Sequence, residues 1–414
     1  MITVKPFYAL RPSKELAHKC AALPYDVMSS REAREMVKGD MYTFLRVDRA
    51  EVNLPLDTDI YSDIVYKTAK ETLDKMESDG VYINDKEKKY YFYRQIMNGH
   101  SQTGIVGCAS IDDYLENRIK KHEFTRADKE LDRIRHVDTV SAHTGPIFLT
   151  YKDSLELDEI IQKQTQGAPI YDFVAEDGVR HTVWTTDGTV TDKKIEKAFA
   201  SLDALYIADG HHRCASAVKV GVKRREENKA HTGDEEYNFF LSVIFPSKSL
   251  AILDYNRLLK DLNGYSAQEF LAKVQEKVGD VCEFEGKGPL KPNEKHTVGI
   301  YLEGKWYLVK FHPEICQGDK TVERLDCAIL QKHLLSGILG IDDPRSDKRI
   351  DFAGGIRGLE YLEKRCSEDM KMAISMYPTS LDDLMAVADE GDVMPPKSTW
   401  FEPKLRSGLL IHKI

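Results

Sequence analysis

The strongest constraint on the fold of this chain is a strand pattern that passes without a loop into a helix pattern. Residues 204–208 are apolar or aromatic, Gly210 permits a tight turn, and a helical pattern then continues to Val220. Strand patterns of period two and helix patterns of period 3.6 interleave along the rest of the chain. We therefore predict a mixed α+β fold in which helices pack on sheets.

Local patterns predict several individual elements. Residues 60–78 carry apolar side chains at near-helical spacing, and Asn98-Gly99 supplies the turn of a β-hairpin between two strand patterns. We predict helical structure over residues 114–140 and 255–279, and a charged loop over residues 223–236. Turn residues separate the elements throughout, as expected for a globular chain.

The length of 414 residues indicates more than one domain. We predict three regions: an N-terminal α/β region over residues 1–112, a core over residues 113–254, and a C-terminal α/β region over residues 255–414. We expect the end of the last region to return to the active site of the core.

The charge balance argues against binding to nucleic acid through bulk charge. Lys and Arg number 59 against 68 for Asp and Glu, which gives a formal net charge of −9. The basic clusters at residues 118–122 and 223–225 are short and lack interleaved aromatic residues. We therefore expect no nucleic-acid partner.

The seven cysteines are scattered and form no Cys-x-x-Cys pair. That pattern excludes a zinc ribbon that could be read from sequence and argues against a disulfide framework. The first ten residues lack the apolar core of a signal peptide, and no stretch approaches ~18 uninterrupted apolar residues. We expect a cytoplasmic protein with reduced thiols, no membrane partner and no protein-built metal site.

The first candidate site is Asp209-Gly210-His211-His212-Arg213, at the turn from strand to helix. The N–H groups at a helix N-terminus favour phosphate, and an arginine adds bidentate reach to an anion. Asp209 could orient a histidine or hold a metal ion. The structural alternative is that Asp209 caps the helix and pairs with Arg213, with the histidines merely packed.

The second candidate site is His122-Glu123, in the charged segment predicted to be helical. The spacing excludes a His-Glu-x-x-His zinc site, because position 126 is Arg. Glu123 could act as a catalytic base. A single Glu in a charged helix is, however, usually a solvated surface residue.

The third candidate site is Lys397-Ser398-Thr399, which follows two prolines. A lysine beside two hydroxyl groups suits a phosphate, with the ammonium as a point charge and the hydroxyls as neutral donors. The segment is not a Walker loop, because the glycines of that motif are missing. The structural alternative is a proline turn before a surface strand.

Five motifs in order resemble the bacterial and archaeal family known as domain of unknown function 1015. They cover nearly the whole chain and are VKPFYALRP at residues 4–12, LPYDV at 23–27, KHE at 121–123, ADGHHR at 208–213 and PPKSTWF at 395–401. The last three also resemble, in the same order, the free-serine kinases of the ParB/sulfiredoxin-like superfamily. The resemblance implies a ParB/sulfiredoxin-like core with mixed sheets and with N-terminal and C-terminal extensions.

The kinase resemblance implies a phosphotransferase that uses ADP or ATP with Mg²⁺ and phosphorylates the hydroxyl of a small, serine-like metabolite. It assigns Glu123 as catalytic base, residues 209–213 to the nucleotide phosphates, and Lys397, Ser398 and Thr399 to the substrate. His211 and His212 would stabilise the transition state as donors. These residues would have to surround one pocket. The chain departs from the kinases by an additional N-terminal region of about a hundred residues.

Two other functions remain open. ParB-like proteins bind CTP at a related turn and act on DNA, so this chain could be a nucleotide-binding switch without kinase activity. Sulfiredoxin carries a cysteine in its phosphate loop, whereas Cys214 here follows the loop on the predicted helix. The sequence leaves open the phosphate acceptor, the nucleotide and the oligomeric state.

Overall fold

The chain forms two compact units, here called unit 1 and unit 2. The structure, a computed structural model, describes residues 1–125 and 127–414; Arg126, which excluded a zinc motif above, lies outside the described residues. Unit 1 comprises residues 1–120, 125–250 and 403–414, and unit 2 comprises residues 121–124 and 251–402. The predicted mixed α/β architecture is confirmed. The division into three regions stays a prediction.

The helices alternate with strands along both units, as predicted. The α-helices are α1 (Ala17–Cys20), α2 (Ser30–Met36), α3 (Leu45–Asp48), α4 (Asp63–Ser78), α5 (Ile111–Leu115), α6 (Ala127–Val140), α7 (Leu155–Gln164), α8 (Thr189–Ala200), α9 (His211–Glu227), α10 (Ala267–Lys277), α11 (Asp326–Ile329), α12 (Glu360–Glu368) and α13 (Leu381–Asp389). A π-helical segment, Leu330–Ser336, continues α11.

The strands of residues 1–125 and 127–414 form four sheets. They are β1 (Val4–Lys5), β2 (Ala9–Pro12), β3 (Tyr82–Asn84), β4 (Tyr91–Met97), β5 (His100–Ser110), β6 (Ile119–Lys120), β7 (Ala142–His143), β8 (Ile147–Tyr151), β9 (Tyr171–Val174), β10 (Arg180–Thr185), β11 (Leu205–Asp209), β12 (Phe239–Pro246), β13 (Ala251–Leu253), β14 (Tyr255–Leu259), β15 (Gly279–Glu283), β16 (Thr297–Leu302), β17 (Lys305–Phe311), β18 (Ile350–Gly354), β19 (Met372–Met376), β20 (Trp400–Glu402) and β21 (Ile411–Lys413).

The main sheet of unit 1 has the strand order β6-β11-β8-β12-β5-β4-β10-β9, with β1 paired to β5. The β6–β11 and β8–β12 pairs are parallel, and the other pairs are antiparallel. Every residue of β12 is buried, as expected for an apolar strand covered on both faces. Side chains of α7, α8 and α9 pack into the core of this sheet, so the sheet fixes the start of α9.

A smaller antiparallel sheet of unit 1 has the order β3-β2-β21-β7. The C-terminal strand β21 lies between β2 and β7, so residues far apart in sequence complete one sheet. Helix α4 packs Val65, Ala69, Leu73 and Met76 into the associated core. The helix predicted over residues 60–78 is thus confirmed, and it ends before Gly80, whose φ of +75° suits a helix end.

Unit 2 is built on an antiparallel sheet with the order β15-β17-β16-β19-β14-β18. The prediction of helical structure over residues 255–279 is wrong in its first part, because Tyr255–Leu259 is strand β14 and the helix covers only Ala267–Lys277. All five residues of β14 are buried between β18 and β19. Burial on both faces removes the alternation that would have signalled a strand.

The charged loop predicted over residues 223–236 is also partly wrong, because α9 continues to Glu227. The Nζ of Lys223 lies 2.6 Å from a carboxylate oxygen of Asp138 on α6, and the Nε of Arg224 lies 3.2 Å from the other. Arg224 also donates to the carbonyl of Ile414, at 2.9 Å. These contacts hold the last turn of α9 against α6 and the C-terminus.

Asp138 makes the stability of unit 1 dependent on pH in the acidic range. Partial burial opposes its ionisation, but the hydrogen bonds from Lys223 and Arg224 lower the pKa of Asp138 below 3.8. This contribution is present above pH 3.8 and is lost as the pH falls below that value. We expect Asp138→Asn to cost about 1–2 kcal/mol in urea unfolding at neutral pH and progressively less as the pH falls below 3.8. Asp234→Asn, at an exposed ion pair, should cost under about 0.5 kcal/mol at neutral pH; equal costs for both variants would contradict this account.

In the part of the chain that the structure describes, no helix is long and apolar enough to cross a membrane. The seven cysteines all lie in that part, and none of them forms a disulfide.

Candidate functional site

The turn at residues 209–213 has the predicted geometry and lies in unit 1. Strand β11 ends at Asp209, Gly210 adopts a left-handed conformation with φ +88°, and α9 begins at His211. Ile207 pairs with Leu149, whereas Asp209 pairs with Phe148, so the register shifts around the intervening residue. Such a bulge redirects the side chains beside it. The strand end therefore presents Asp209 next to the N–H groups of a helix 17 residues long.

Two cations flank the carboxylate of Asp209. Its Oδ2 lies 3.4 Å from the Nζ of Lys404 and 3.9 Å from a guanidinium nitrogen of Arg213, and its side chain is 34% exposed. Burial opposes ionisation, but Lys404 and Arg213 outweigh it and hold the pKa of Asp209 well below its ordinary value. Asp209 is therefore an anion at neutral pH, and solvent reaches it. Lys404 was not found from the sequence, since nothing in its local pattern marks it as a neighbour of Asp209.

Arg213 is positioned by the loop that precedes β8. Its Nη1 donates to the carbonyl of Pro146 at 2.9 Å, and its side chain is only 12% exposed. A Cβ at Gly145 would lie 3.3 Å from that nitrogen and 2.6 Å from the hydroxyl of Ser407. The glycine thus leaves room for Arg213 beside the turn.

The two histidines of the turn differ in their surroundings. His211 is 8% exposed, and His212 is half-buried and lends its carbonyl to the hydroxyl of Ser216 at 2.7 Å. Cys214, one turn further on, is completely buried in the core of the main sheet. A redox cysteine has to be reached by its partner, so this burial argues against the sulfiredoxin-like alternative.

Glu123 lies in unit 2 and not on a helix. Helix α6 starts only at Ala127, and β6 ends at Lys120, so the helix predicted over residues 114–140 is interrupted. The carbonyl of His122 accepts a hydrogen bond from the N–H of Met394 at 2.8 Å and so is not used in a helical turn. Glu123 is half-buried in this bend.

The same contact joins the second and third candidate sites, because Met394 precedes Lys397 in one short segment. Pro396 leads into Lys397, which is exposed and has a left-handed φ of +62°, and whose Nζ lies 5.6 Å from the ring centroid of Tyr255. A left-handed lysine costs energy, and such conformations cluster at functional sites.

Ser398 is more constrained than a substrate-binding residue needs to be. It is 8% exposed, and its hydroxyl lies 2.6 Å from the carbonyl of Pro395 and 3.1 Å from the Sγ of Cys327. These contacts close the proline turn, as the structural alternative expected. Thr399 is half-buried beside it. The substrate roles of Lys397, Ser398 and Thr399 stay predictions.

Chemically, the turn in unit 1 offers an anion site, formed by helix N–H groups and two cations. In unit 2, Glu123 offers a carboxylate and Lys397 offers an ammonium group. Within residues 1–125 and 127–414, no group of three or more His, Cys, Asp or Glu side chains is arranged to hold a metal ion. A metal at these residues would therefore need oxygen ligands from a bound molecule.

The sequence model of the family described as "Protein of unknown function (DUF1015)" matches residues 4–328. No curated protein has a matching sequence.

Several solved structures are similar in fold at low identity. A mutant of free serine kinase in complex with ADP is 14% identical with a TM-score of 0.37, covering 72% of this chain and 90% of that chain. A conserved hypothetical protein from Pyrococcus furiosus is 15% identical with a TM-score of 0.36, covering 73% and 92%. SbnI with C-terminal truncation, from Staphylococcus aureus, is 9% identical with a TM-score of 0.39, covering 73% and 85%. Likeness at this level assigns no activity to the residues described above.

Proposed function

The chain belongs to the family described as protein of unknown function DUF1015, and we propose that it is a nucleotide-dependent phosphotransferase acting on the hydroxyl of a small metabolite. ADP or ATP would supply the phosphoryl group. A serine-like acceptor is the first candidate, because three motifs resemble those of the free-serine kinases.

The observation that carries this proposal is the turn at residues 209–213. Gly210 has a φ of +88° and starts a helix 17 residues long, which directs N–H groups and the positive end of the helix dipole out of the turn. Arg213 and Lys404 add two cations within 4 Å of Asp209. A nucleotide phosphate is the common ligand that satisfies such donors and cations together.

Phosphoryl transfer needs positioning and neutralisation of charge more than covalent chemistry. We assign residues 209–213 to the nucleotide phosphates, and His211 and His212 to stabilising the transferred group as donors. Glu123 would take the proton of the acceptor hydroxyl. Lys397, Ser398 and Thr399 would contact the acceptor or its new phosphate.

Mg²⁺ fits this assignment as a companion of the nucleotide. Mg²⁺ is usually bound by one or two carboxylates together with substrate phosphates. Asp209 is ionised and 34% exposed, so it can supply one carboxylate oxygen. When bound, the ion would neutralise charge on the phosphates.

The direct test follows phosphorus by ³¹P NMR while the protein is incubated with ADP or ATP, Mg²⁺ and a panel of small hydroxyl metabolites that includes serine. We expect a new phosphomonoester signal with at least one acceptor. Absence of transfer from either nucleotide to every acceptor would defeat the proposal.

Gly210→Ala should weaken the binding of ADP about 10-fold. The substitution forces a Cβ onto a left-handed residue and places it 3.2 Å from the Nε of Arg213, so both the turn and the cation must move. The strain also costs about 1 kcal/mol of stability. Titration calorimetry of ADP measures the effect. The matched control is Gly178→Ala, where φ is +78° and a Cβ meets nothing within 4 Å. If Gly210→Ala and Gly178→Ala bind ADP with equal affinity, the turn at residues 209–213 is not part of the nucleotide site.

The ligands that the protein binds distinguish the alternative function, a nucleotide-binding switch, from the proposed kinase. Calorimetry with CTP, ATP and ADP, followed by a DNA shift assay at physiological salt, distinguishes the two. Selective CTP binding with a DNA shift and no phosphotransfer would favour the switch, against which the net charge of −9 weighs.

A further inference from the structure

Residues of the N-terminal region line a small cavity of unit 1 together with Arg213 of the 209–213 turn. The cavity has a volume of about 30 Å³. The residues used in the argument that follows are lining residues of this cavity, namely Tyr25, Asp48, Arg133, His136, His143 and Arg213. None of them except Arg213 belongs to the site proposed above.

The N-terminal motif LPYDV, at residues 23–27, contributes the most distinctive wall. Tyr25 is 5% exposed, and its ring lies 4.0 Å from the Cζ of Arg133 on α6. Asp48, at the end of α3, is 4% exposed and accepts the hydroxyl of Thr144 at 2.7 Å. The additional N-terminal region, to which the sequence assigned no role, therefore lines a cavity that Arg213 also lines.

Two of the lining residues, Arg133 and Arg213, can only donate hydrogen bonds from their side chains. Arg133 is 7% exposed and binds the carboxylate of Asp132 through Nε at 2.9 Å and Nη2 at 2.8 Å. The Nε of Arg213 is buried and has no hydrogen-bond partner among the described residues. The nearest carboxylate to Arg213, Asp209, is 3.9 Å away and lies closer to Lys404. A buried guanidinium N–H without an acceptor is costly, so Arg213 calls for one further acceptor.

Another lining residue, His143, can accept a hydrogen bond. The Nε2 of His412 contacts the carboxylate of Glu236 at 2.8 Å, so this nitrogen carries the proton. In a neutral ring, Nδ1 of His412 then accepts from Nδ1 of His143, 3.3 Å away. Burial lowers the pKa of both histidines, which keeps them neutral. That arrangement leaves Nε2 of His143, which is buried and has no partner among the described residues, as an acceptor, and the carboxylate of Asp48 lines the same cavity.

We propose that this cavity binds a small oxyanion that carries a hydroxyl group, with the anion on Arg133, Arg213 and Tyr25 and the hydroxyl directed to Asp48 or His143. The N-terminal region would thus provide a selective subsite. This ligand is distinct from the phosphate acceptor assigned above to Glu123 and to residues 397–399, and its binding does not rest on the proposed function.

The size of the cavity limits the ligand. One water needs about 10–15 Å³ of the volume that a water-sized sphere can occupy. The 30 Å³ of this cavity therefore accommodate about two or three waters or one group of similar size. A nucleotide is far too large. A hydroxy-carboxylate of two carbons or an inorganic phosphate approaches the available space, and both carry an oxyanion and a hydroxyl.

The test is a titration of the full chain, without nucleotide, with glycolate and with inorganic phosphate. We expect saturable binding of at least one probe, about 10-fold weaker in Tyr25→Phe and more than 10-fold weaker in Arg133→Lys. Tyr151→Phe is the matched control, because Tyr151 is also buried, its hydroxyl has no partner among the described residues, and it does not line the cavity. It should bind like the wild type.

Absence of saturable binding of either probe would overturn the proposal, as would equal binding by wild type and Tyr25→Phe. Titrating the same variant with ADP separates the cavity from the turn, since a loss of ADP affinity in Tyr25→Phe as large as its loss of probe affinity would also overturn the proposal. Preference for glycolate assigns the carboxylate class, and preference for phosphate the phosphate class. If phosphotransfer is absent but binding depends on Tyr25, the proposed function fails and this inference stands.

Discussion

Replacing Glu123 by Gln should slow phosphotransfer about 10²–10⁴-fold while leaving the affinity for ADP unchanged. The amide keeps the shape of the side chain but cannot accept a proton from the acceptor hydroxyl. The backbone of this segment is held by the bond from Met394 to the carbonyl of His122, at 2.8 Å, which the substitution does not touch. Initial rates with saturating nucleotide and acceptor measure the loss, and titration calorimetry measures ADP affinity.

The control for this variant is Glu116→Gln, which changes an exposed carboxylate in the turn between α5 and β6. It should retain the wild-type rate. A Glu123→Gln variant with wild-type turnover would leave Glu123 a solvated surface charge. Loss of ADP affinity together with turnover would assign it to binding instead.

The strand-to-helix turn could be predicted because its signals are local. Residues 204–208 form an apolar run, Gly210 is the residue that tolerates a left-handed φ, and the helical pattern starts immediately afterwards. Each signal concerns neighbours in sequence, and all three agree. The same holds for the hairpin at Asn98-Gly99, where β4 and β5 pair across the turn.

The rest depends on contacts between distant residues. Lys404 lies beside Asp209, and β21 completes a sheet with β2 and β7. No local pattern encodes such pairs. Strand β14 was missed for a related reason, since both of its faces are covered by other parts of unit 2. Tyr25 belongs to the LPYDV motif, which the sequence singles out, but only the fold shows that its ring packs against the guanidinium of Arg133.

A buried histidine in β10 makes a second large effect measurable. His181 is completely buried, with Nδ1 2.7 Å from the hydroxyl of Tyr93 and Nε2 3.3 Å from the Nε of Arg406. Burial, reinforced by the charge of Arg406, lowers the pKa of His181 from 6.5 to about 3. The folded chain therefore holds this ring neutral where the unfolded chain protonates it.

Because the folded pKa lies below the unfolded one, this stability is complete above pH 6.5 and is lost as the pH falls towards 3. The difference corresponds to roughly 3–5 kcal/mol. We expect His181→Gln to be less stable at neutral pH and to lose correspondingly less on acidification, measured as the opening free energy of β10 by amide hydrogen exchange. His100→Gln, at an exposed position, should keep the wild-type pH dependence. If His181→Gln also keeps it, the proton taken up on acid unfolding binds elsewhere, and the pairing with Tyr93 and Arg406 tolerates a charged ring.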